Sequence, residues 1–392
     1  MKNILYLSYD GILEPLGSSQ VLEYIKSLSE EYNFILISFE KKDDINNLEL
    51  YKKTKSICDK KNITWITFKY YPLSKPFHAL NNIIRVLIKL FILFSHNKIQ
   101  AIHLRGYTLG LVIPLLNLFF NFKFFFDTRG FWADEKVDRA GWNKNGVLYK
   151  IFKKLELYLF KKSSHIFFLT NHAQKIVSVN NFALKEKSSV IRTCANGNYF
   201  YPLPQINHDD VLRLGYLGTI DTAYDFLRIA KFFSSASKLN QRIFLTVLTK
   251  SNHEEIYKIL SNLDIDESLY RIGFTRDLKE LNKEINNFDL CIFYLNNNFS
   301  IKASMPTKIG EVLACGVPIA CNNFNEDIQS LFTSDAVLLT DFEDRECISI
   351  LDKMNKLKHS EDTTKNCLQA YKESFSLEQG CKEYNRCYEM HL

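Results

Sequence analysis

The feature that constrains this chain most is an alternation of short apolar runs with amphipathic segments, which occurs twice along its 392 residues. In the first half, nearly continuous apolar runs such as Asn3–Ser8, Phe34–Phe39 and Phe122–Phe126 alternate with segments of helical periodicity such as Ser18–Glu30. Such runs indicate strands buried on both faces, which are typical of parallel sheets covered by helices. The first half is therefore expected to form a doubly wound α/β domain.

The alternation stops at Asn196–Asp210, where Asn-Gly-Asn and Pro-x-Pro sequences are typical of a linker, and then restarts. New apolar runs include Leu212–Leu217 and Leu290–Tyr294, and Tyr224–Ser234 has helical periodicity. A final amphipathic segment, Leu377–Met390, follows the second series. We therefore expect two Rossmann-like, doubly wound parallel-sheet domains facing across a ligand-binding cleft, and a C-terminal helix that crosses back to the first domain. The three parts are residues 1–200, 201–375 and 376–392.

In doubly wound sheets, ligands bind at the carboxyl ends of the strands. In the first domain this rule selects the segments Tyr9–Ser19, His103–Tyr107 and Asp127–Glu135. Asp127 and Arg129 are catalytic candidates, the first as an acid or base and the second as an anion contact. Candidates for the acceptor side are His103, Arg105, Trp132, Asp134 and Glu135. The structural alternatives are an ion pair at a strand end for Asp127 and Arg129, and a hydrogen-bonded core histidine for His103.

The most informative segment in the second half is Ser300–Pro318. It predicts a helix that starts near Pro306 or Thr307, with Ser304 or Ser300 as the cap, and backbone N–H groups at such a start bind anions. Lys308 falls in the first turn, where a positive charge is unfavourable unless an anion neutralises it. Glu311, one turn later, is a candidate acceptor for ribose hydroxyls. The alternative is that Lys308 and Glu311 form a surface ion pair of little energetic weight.

The run from Ala303 to Glu311, ASMPTKIGE, followed by Leu-Ala-Cys-Gly-Val-Pro, resembles the donor-site helix of glycosyltransferase family 4. It is similar to a subgroup with the pattern A-S-x-P-T-K-x-x-E, and the family has the GT-B fold. The commoner family pattern has two glutamates separated by seven residues. The second matches Glu311, whereas Ala303 stands at the first, which in the wider family contacts the donor sugar. The resemblance therefore implies nucleotide contacts more firmly than sugar contacts.

Three other segments resemble the same family. Asp10–Gln20 looks like its N-terminal glycine loop, with Gly17 as the match, while Phe126–Asp138 and Gly215–Asp225 look like segments of the first and second domains. The donor-binding residues that the resemblance and the helix-start argument imply are Gly17, Ser18, Thr219, Lys250, Ser304, Pro306, Thr307, Lys308 and Glu311. Gly17 has a plain turn as its alternative, and Lys250 a solvated loop lysine.

The resemblance implies a retaining, hexosyl-type transfer from a nucleotide-diphosphate sugar to a hydroxyl of a glycan or lipid-linked acceptor, in bacterial surface polysaccharide or glycolipid synthesis. The resemblance implies a fold that does not usually need a metal, and no metal or other cofactor is expected. Two alternatives stay open. One is a nucleotide-sugar epimerase or hydrolase of the same architecture. The other is a non-catalytic partner subunit, which the alanine at position 303 permits.

Charge and composition bear on location and partners. A net charge of +6 spread along the chain fits an anionic ligand or membrane surface better than nucleic acid. Nine cysteines without a C-x-x-C pair, and an N-terminus unlike a signal peptide, indicate a cytoplasmic protein with reduced thiols. Asn82–Ser95 and Gly146–Lys162 mix basic with apolar residues, which fits core-facing helices or a patch on the inner face of the membrane. The apolar stretch Leu109–Phe126 is expected to contain a buried helix, Leu109–Leu118, rather than a membrane span.

Overall fold

The computed structural model describes residues 1–71, 76–96, 99–179, 181–204, 210–220, 223–239, 242–331, 336–358 and 360–392. These residues form two compact units. The first consists of Met1–Arg192 together with Gly380–Leu392, and the second of Thr193–Gln379. Part of the expected linker, residues 205–209, lies outside the described residues. No helix among the described residues is both long enough and apolar enough to cross a membrane.

The first unit contains a parallel sheet of seven strands, in the order β3-β2-β1-β4-β5-β6-β7. The strands are β1 Lys2–Ser8, β2 Tyr32–Glu40, β3 Thr64–Lys69, β4 Ile99–Arg105, β5 Lys123–Asp127, β6 His165–Phe168 and β7 Ser188–Val190. Strand β1 pairs with both β2 and β4, so the strand order reverses between β1 and β4. This reversal is a topological switch point, where ligands of such sheets bind.

Ten helices cover this sheet within the described residues. They are α1 Pro15–Gly17, α2 Glu23–Leu28, α3 Lys42–Asn46, α4 Leu48–Lys60, α5 Pro76–His96, α6 Val112–Leu116, α7 Trp132–Ala140, α8 Val147–Lys162, α9 Asn171–Ser178 and α10 Phe182–Glu186. A π-helical turn, Ser18–Leu22, joins α1 to α2. The prediction of one continuous helix over Leu109–Leu118 is wrong, because this segment forms a 3₁₀ turn, Thr108–Leu111, followed by the short helix α6. Pro114 has no N–H to donate to the carbonyl four residues earlier, which prevents one continuous helix.

The second unit repeats the architecture with six parallel strands, in the order β10-β9-β8-β11-β12-β13. The strands are β8 Leu212–Leu217, β9 Ile243–Leu248, β10 Tyr270–Gly273, β11 Leu290–Phe293, β12 Ile319–Cys321 and β13 Val337–Leu339. Its helices are α11 Phe226–Leu239, α12 His253–Ser261, α13 Leu278–Asn286, α14 Thr307–Ala314, α15 Glu326–Leu331, α16 Cys347–Lys358 and α17 Glu361–Ser374. The switch point of this sheet lies between β8 and β11.

The last helix, α18, spans Leu377–His391, and its residues from Gly380 onward belong to the first unit. Tyr384 and Tyr388, one turn apart on this helix, are buried. The hydroxyl of Tyr32 donates a hydrogen bond of 2.7 Å to Asn385. The C-terminal segment is therefore an integral part of the first core.

Candidate active site

Lys308 lies at the switch point of the second sheet. Its side chain is almost fully buried, with 5% of the residue exposed. The ammonium nitrogen lies over three aromatic rings, 4.0 Å from the centroid of Tyr224, 4.9 Å from Phe293 and 5.0 Å from Tyr216. Tyr216 belongs to β8 and Phe293 to β11, the two strands that flank the switch point. A buried cation enclosed by rings is not one half of a surface ion pair, so that alternative is wrong.

Gly218, directly after β8, approaches Lys308 closely. Its φ of +112° is a conformation that side-chain-bearing residues rarely adopt. A Cβ atom at this position would lie 3.1 Å from Lys308 Nζ. The positive φ favours glycine here, and the absence of a side chain leaves the Lys308 ammonium next to bare backbone at the carboxyl edge of the sheet.

Helix α14 begins without a side-chain cap. Pro306 occupies the N-cap position, so the expected cap from Ser304 or Ser300 is wrong. The Ser304 hydroxyl instead donates a hydrogen bond of 3.4 Å to the Ser300 carbonyl. Thr307 is the first helical residue, and Lys308 follows in the first turn. The start of α14 therefore presents backbone N–H groups and a lysine at one place, which is an arrangement suited to an anion.

The loop before α14 is fixed by two asparagines that follow β12. Asn325 Nδ2 donates 2.9 Å to the carbonyl of Ser304. The amide of Asn322 accepts from the Leu295 N–H at 3.0 Å and donates to the Leu295 carbonyl at 2.9 Å. Sequence reasoning missed both residues, because an asparagine in a loop gives no signal of which distant carbonyl it contacts.

Glu311 is half-buried one turn after Lys308. Burial raises the pKa of its carboxyl to about 7, and the positive charge of Lys308 offsets only part of this effect. A hydroxyl that donates a hydrogen bond to the carboxylate stabilises its charged form. Glu311 is therefore poised to change its ionisation when a polar ligand binds.

Thr219 and Lys250 follow neighbouring strands at the same edge of the second sheet. The Tyr216 hydroxyl donates 3.1 Å to the Thr219 carbonyl, and the Ile220 N–H donates 2.8 Å to the Ser251 hydroxyl. These bonds hold the loops after β8 and β9 together. The Lys250 side chain is exposed at this edge.

In the first unit, the loop between β1 and α1 is tightly folded. A Cβ atom at Gly17 would lie 1.8 Å from the Gly11 carbonyl oxygen, so no side chain fits there. The carboxylate of Glu40, at the end of β2, accepts hydrogen bonds from the N–H groups of Ile12 at 2.9 Å and Leu13 at 3.1 Å. Ser18 begins the π-helical turn that follows. Glu40, which sequence reasoning missed, is thus the side chain that positions the glycine loop.

Asp127 is the centre of a buried charge cluster at the ends of β4 and β5, with 1% of the residue exposed. Arg105 donates 3.3 Å to its carboxylate, and the Arg129 guanidinium lies 3.8 Å away. Burial alone would raise the pKa of Asp127, but Arg129, His103 and Arg105 outweigh it and lower the pKa to about 2. Asp127 is therefore ionised at neutral pH, which suits it to holding the two arginines rather than accepting a proton.

His103 and two tyrosines of α18 complete this cluster. Tyr384 donates 3.0 Å to the Asp127 carboxylate, and the Tyr388 hydroxyl lies 2.5 Å from His103 Nδ1. The His103 ring stacks on Tyr6 at 4.3 Å between centroids, and burial lowers its pKa. His103 is fully buried and uncharged near neutral pH, which favours its structural interpretation.

The backbone after β5 is strained at Arg129, whose φ is +55° and is followed by +127° at Gly130. A non-glycine residue in this region costs about 1–3 kcal/mol, and such residues cluster at functional sites. The Arg129 guanidinium also donates 3.3 Å to Gln20 in the π-helical turn. The strained turn therefore connects the glycine loop to the Asp127 cluster.

The remaining acceptor-side candidates lie on α7. Asp134 is buried and accepts hydrogen bonds from the Tyr149 hydroxyl at 2.8 Å and from Lys153 at 3.1 Å. Glu135 pairs with Arg139 at 3.4 Å along the same helix. Trp132 packs on Trp142 and Phe152, with centroid distances of 5.5 and 4.6 Å. Asp134 thus connects α7 to α8. Among the described residues, no three His, Cys, Asp or Glu side chains group as metal ligands.

Two parallel-sheet units of Rossmann-type strand order, one after the other, are the architecture of GT-B glycosyltransferases. Solved structures agree. Sucrose-phosphate synthase from Thermosynechococcus elongatus superposes with a TM-score of 0.74 at 12% identity, covering 100% of this chain and 99% of its own. HepE from Anabaena in complex with UDP-glucose has a TM-score of 0.69 at 12% identity, with 100% of both chains covered.

WaaG, a glycosyltransferase involved in lipopolysaccharide biosynthesis, has a TM-score of 0.66 at 12% identity over 97% of this chain and 98% of its own. Neither a protein-family model nor a curated protein matches the chain in sequence. At this level of identity, the likeness establishes the GT-B fold.

Proposed function

We propose that this chain is a retaining glycosyltransferase of family 4 that moves a hexosyl group from a nucleotide-diphosphate sugar to an acceptor hydroxyl. One observation carries the proposal: Lys308 is buried at the β8/β11 switch point, in the first turn of the uncapped helix α14. A cation and the backbone N–H groups of a helix start in one place stabilise a departing diphosphate. Glu311, one turn later, supports the assignment as the acceptor of hydrogen bonds from the nucleotide ribose.

The roles of the candidate residues follow from their positions. Lys308, with the N–H groups near Thr307, binds the diphosphate, and Gly218 and Thr219 bring the backbone close to it. We also propose Gly17 and Ser18, in the glycine loop of the first unit, as donor contacts. In front-face transfer the leaving phosphate takes the acceptor proton, so no side-chain base is needed. Asp127 then acts as a positioning residue that holds Arg105 and Arg129 for the acceptor side.

The choice of substrate class draws on the fold relatives. HepE binds UDP-glucose and WaaG takes part in lipopolysaccharide biosynthesis. A nucleotide sugar is therefore the donor to test first, and a glycan or lipid-linked acceptor of a bacterial surface polymer, at the inner face of the membrane, is the matching acceptor. We propose no metal or other cofactor.

The test is binding and turnover of a panel of UDP-, GDP- and ADP-sugars. Lys308→Ala should weaken binding of the preferred donor at least about tenfold, because it removes a desolvated charge contact. Lys279→Ala is the matched control, since Lys279 also lies in the first turn of a helix of the second unit but is exposed. Equal donor affinity in both variants would remove the centre of the proposal.

The products separate the alternative functions. Transfer to an acceptor supports the transferase, whereas release or epimerisation of the sugar without an acceptor indicates a hydrolase or epimerase. Donor binding without turnover in the presence of membranes supports a non-catalytic partner subunit. The buried Ala303 makes this comparison necessary, because it provides no carboxylate for the donor sugar.

A further inference from the structure

Tyr224 carries the ring closest to the Lys308 ammonium, which lies 4.0 Å from the ring centroid. This tyrosine belongs to the segment between β8 and α11. The other two rings around the ammonium, Tyr216 and Phe293, are fully buried, whereas Tyr224 is half-buried. We call the three rings the Lys308 cage. Tyr224 is the wall of this cage that lies nearest to solvent.

The cage acts on both the charge and the movement of Lys308. Burial removes the hydration shell of an ammonium group, and this loss is costly unless other contacts replace it. The negative faces of aromatic rings supply such contacts, and their attraction for a cation is stronger where water is excluded. A lysine side chain in solvent also samples many rotamers. Three surrounding rings leave the Lys308 ammonium few other positions.

The backbone fixes the place of the Tyr224 ring. Tyr224 forms an isolated antiparallel bridge with Leu295, in the segment that follows β11. The next residue, Asp225, donates its N–H to the Tyr294 carbonyl at 3.0 Å. The side chain of Asn322 in turn holds Leu295 through both of its backbone groups. Tyr224 is therefore part of a built wall at the carboxyl edge of the second sheet.

We propose that Tyr224 is a positioning residue of the donor site, whose ring holds the Lys308 ammonium beside the bare backbone of Gly218 before a donor binds. A contact that is ordered in advance costs less to form, because the side chain is not immobilised at the moment of binding. The role acts through Lys308, not through a contact of Tyr224 with the donor. It rests on the proposed function, since the anion that Lys308 meets is the donor diphosphate.

The first test needs no donor. The folded full chain is treated with limiting acetic anhydride, and mass spectrometry compares acetylation of Lys308 with that of the exposed Lys279 in the same molecule. Tyr224→Leu should raise the relative acetylation of Lys308 severalfold, because the outer ring no longer covers the ammonium. Tyr224→Phe should keep the parent ratio. An unchanged ratio in the leucine variant would show that Tyr224 does not confine Lys308.

The second test measures the Kd of the preferred nucleotide sugar. Tyr224→Leu should weaken donor binding about threefold to tenfold, because Lys308 must then be ordered during binding. Tyr224→Phe, which keeps the ring, should retain the parent affinity. The matched control is Tyr257→Leu, at an exposed tyrosine of α12, and it should bind like the parent chain. Tighter binding by Tyr224→Leu would mean that the ring competes with the donor for Lys308.

The third test separates the charge of the ring face from its shape. Phenylalanine with one, two or three ring fluorines is placed at position 224, which keeps the shape and progressively weakens the negative face. The logarithm of the donor Kd should rise with each fluorine. A constant Kd across the series, with weakened binding by Lys308→Ala, would overturn the role of Tyr224 alone. Equal donor affinity of Lys308→Ala and the parent chain would instead overturn the proposed function, and the role of Tyr224 with it.

Discussion

At the scale of one residue, the proposed ribose contact of Glu311 predicts that donor binding depends on pH. Burial raises the pKa of its carboxyl to about 7, so below this pH the free protein holds mainly the protonated form. Hydrogen bonds from ribose hydroxyls favour the carboxylate, and binding below pH 7 therefore releases a proton. We expect the donor Kd to rise about tenfold for each pH unit below 7 and to become constant above about 8.

Calorimetric titration across this range, in buffers of different ionisation enthalpy, measures both the Kd and the proton release. A nucleotide-diphosphate sugar has no phosphate proton that titrates there, so the dependence reports on the protein. The Glu311→Gln variant should bind the donor more weakly than the parent chain at high pH, and its donor Kd should not change with pH. A pH-independent Kd for the parent chain would exclude Glu311 as the ribose contact.

The sequence indicated Lys308 and Glu311 because a lysine in a first turn contradicts the helix dipole and needs an explanation. It did not indicate the rings around Lys308. Tyr216 and Phe293 read as ordinary strand residues, and only the pairing order of the sheet brings β8 and β11 together. Gly218 had a weak signal, as a glycine directly after an apolar strand. Contacts between distant segments thus account for most of what was missed at the site.

At the scale of elements, α18 supports the charge cluster of the first unit through Tyr384. Tyr384→Phe removes a buried hydrogen bond to the ionised Asp127 and should lower the free energy of unfolding by about 1.5–3 kcal/mol. Tyr371→Phe is the control, because the Tyr371 hydroxyl donates to the neutral carbonyl of Ala195, and the expected loss is about 0.5–1.5 kcal/mol.

Chemical denaturation at neutral pH measures both variants. Asp127, with its pKa lowered to about 2, stabilises the fold above pH 4, and this contribution is lost as the pH falls from about 4 to 2. The difference in the free energy of unfolding between Tyr384→Phe and the parent chain should become smaller as the pH falls through the same range. Equal losses in the two tyrosine variants at neutral pH would mean that the charge on Asp127 adds nothing to the bond.

Elements with continuous apolar runs could be located from the sequence to within a few residues, as for Leu212–Leu217. Helix α4, Leu48–Lys60, was missed because only Thr54 and Cys58 on it are buried, which leaves almost no apolar periodicity to detect. The helix expected at Tyr224 begins at Phe226, because Asp225 accepts the Arg228 N–H at 2.9 Å and Tyr224 stays extended beside Leu295. Local hydrogen bonds of this kind set the element boundaries.

For the whole molecule, the alternation of strands and helices predicted the fold class, but not the order of the strands. The order in both sheets depends on pairings between segments far apart in the sequence, such as β1 with β4 and β8 with β11. These pairings create the switch point of each sheet, and candidate residues of each unit lie at its own switch point. A continuous apolar run shows that a strand is buried but not which strands lie beside it. The sequence therefore predicted that the candidate residues lie at the carboxyl ends of the strands, but not which side chains contact one another there.

Each unit has its own sheet and its own buried core, so heat should unfold the chain in two transitions rather than one. A donor held mainly by the second unit should stabilise that unit by about 2.7 kcal/mol at a donor concentration of roughly 100 times its Kd. Tyr384→Phe should lower only the transition temperature of the first unit. Differential scanning calorimetry of the parent chain and this variant, with and without donor, measures both shifts. The two perturbations should move different transitions, and Lys308→Ala should abolish the donor shift alone. If a single transition responds to both, the two units unfold together, and the donor site and the α18 cluster belong to one cooperative structure.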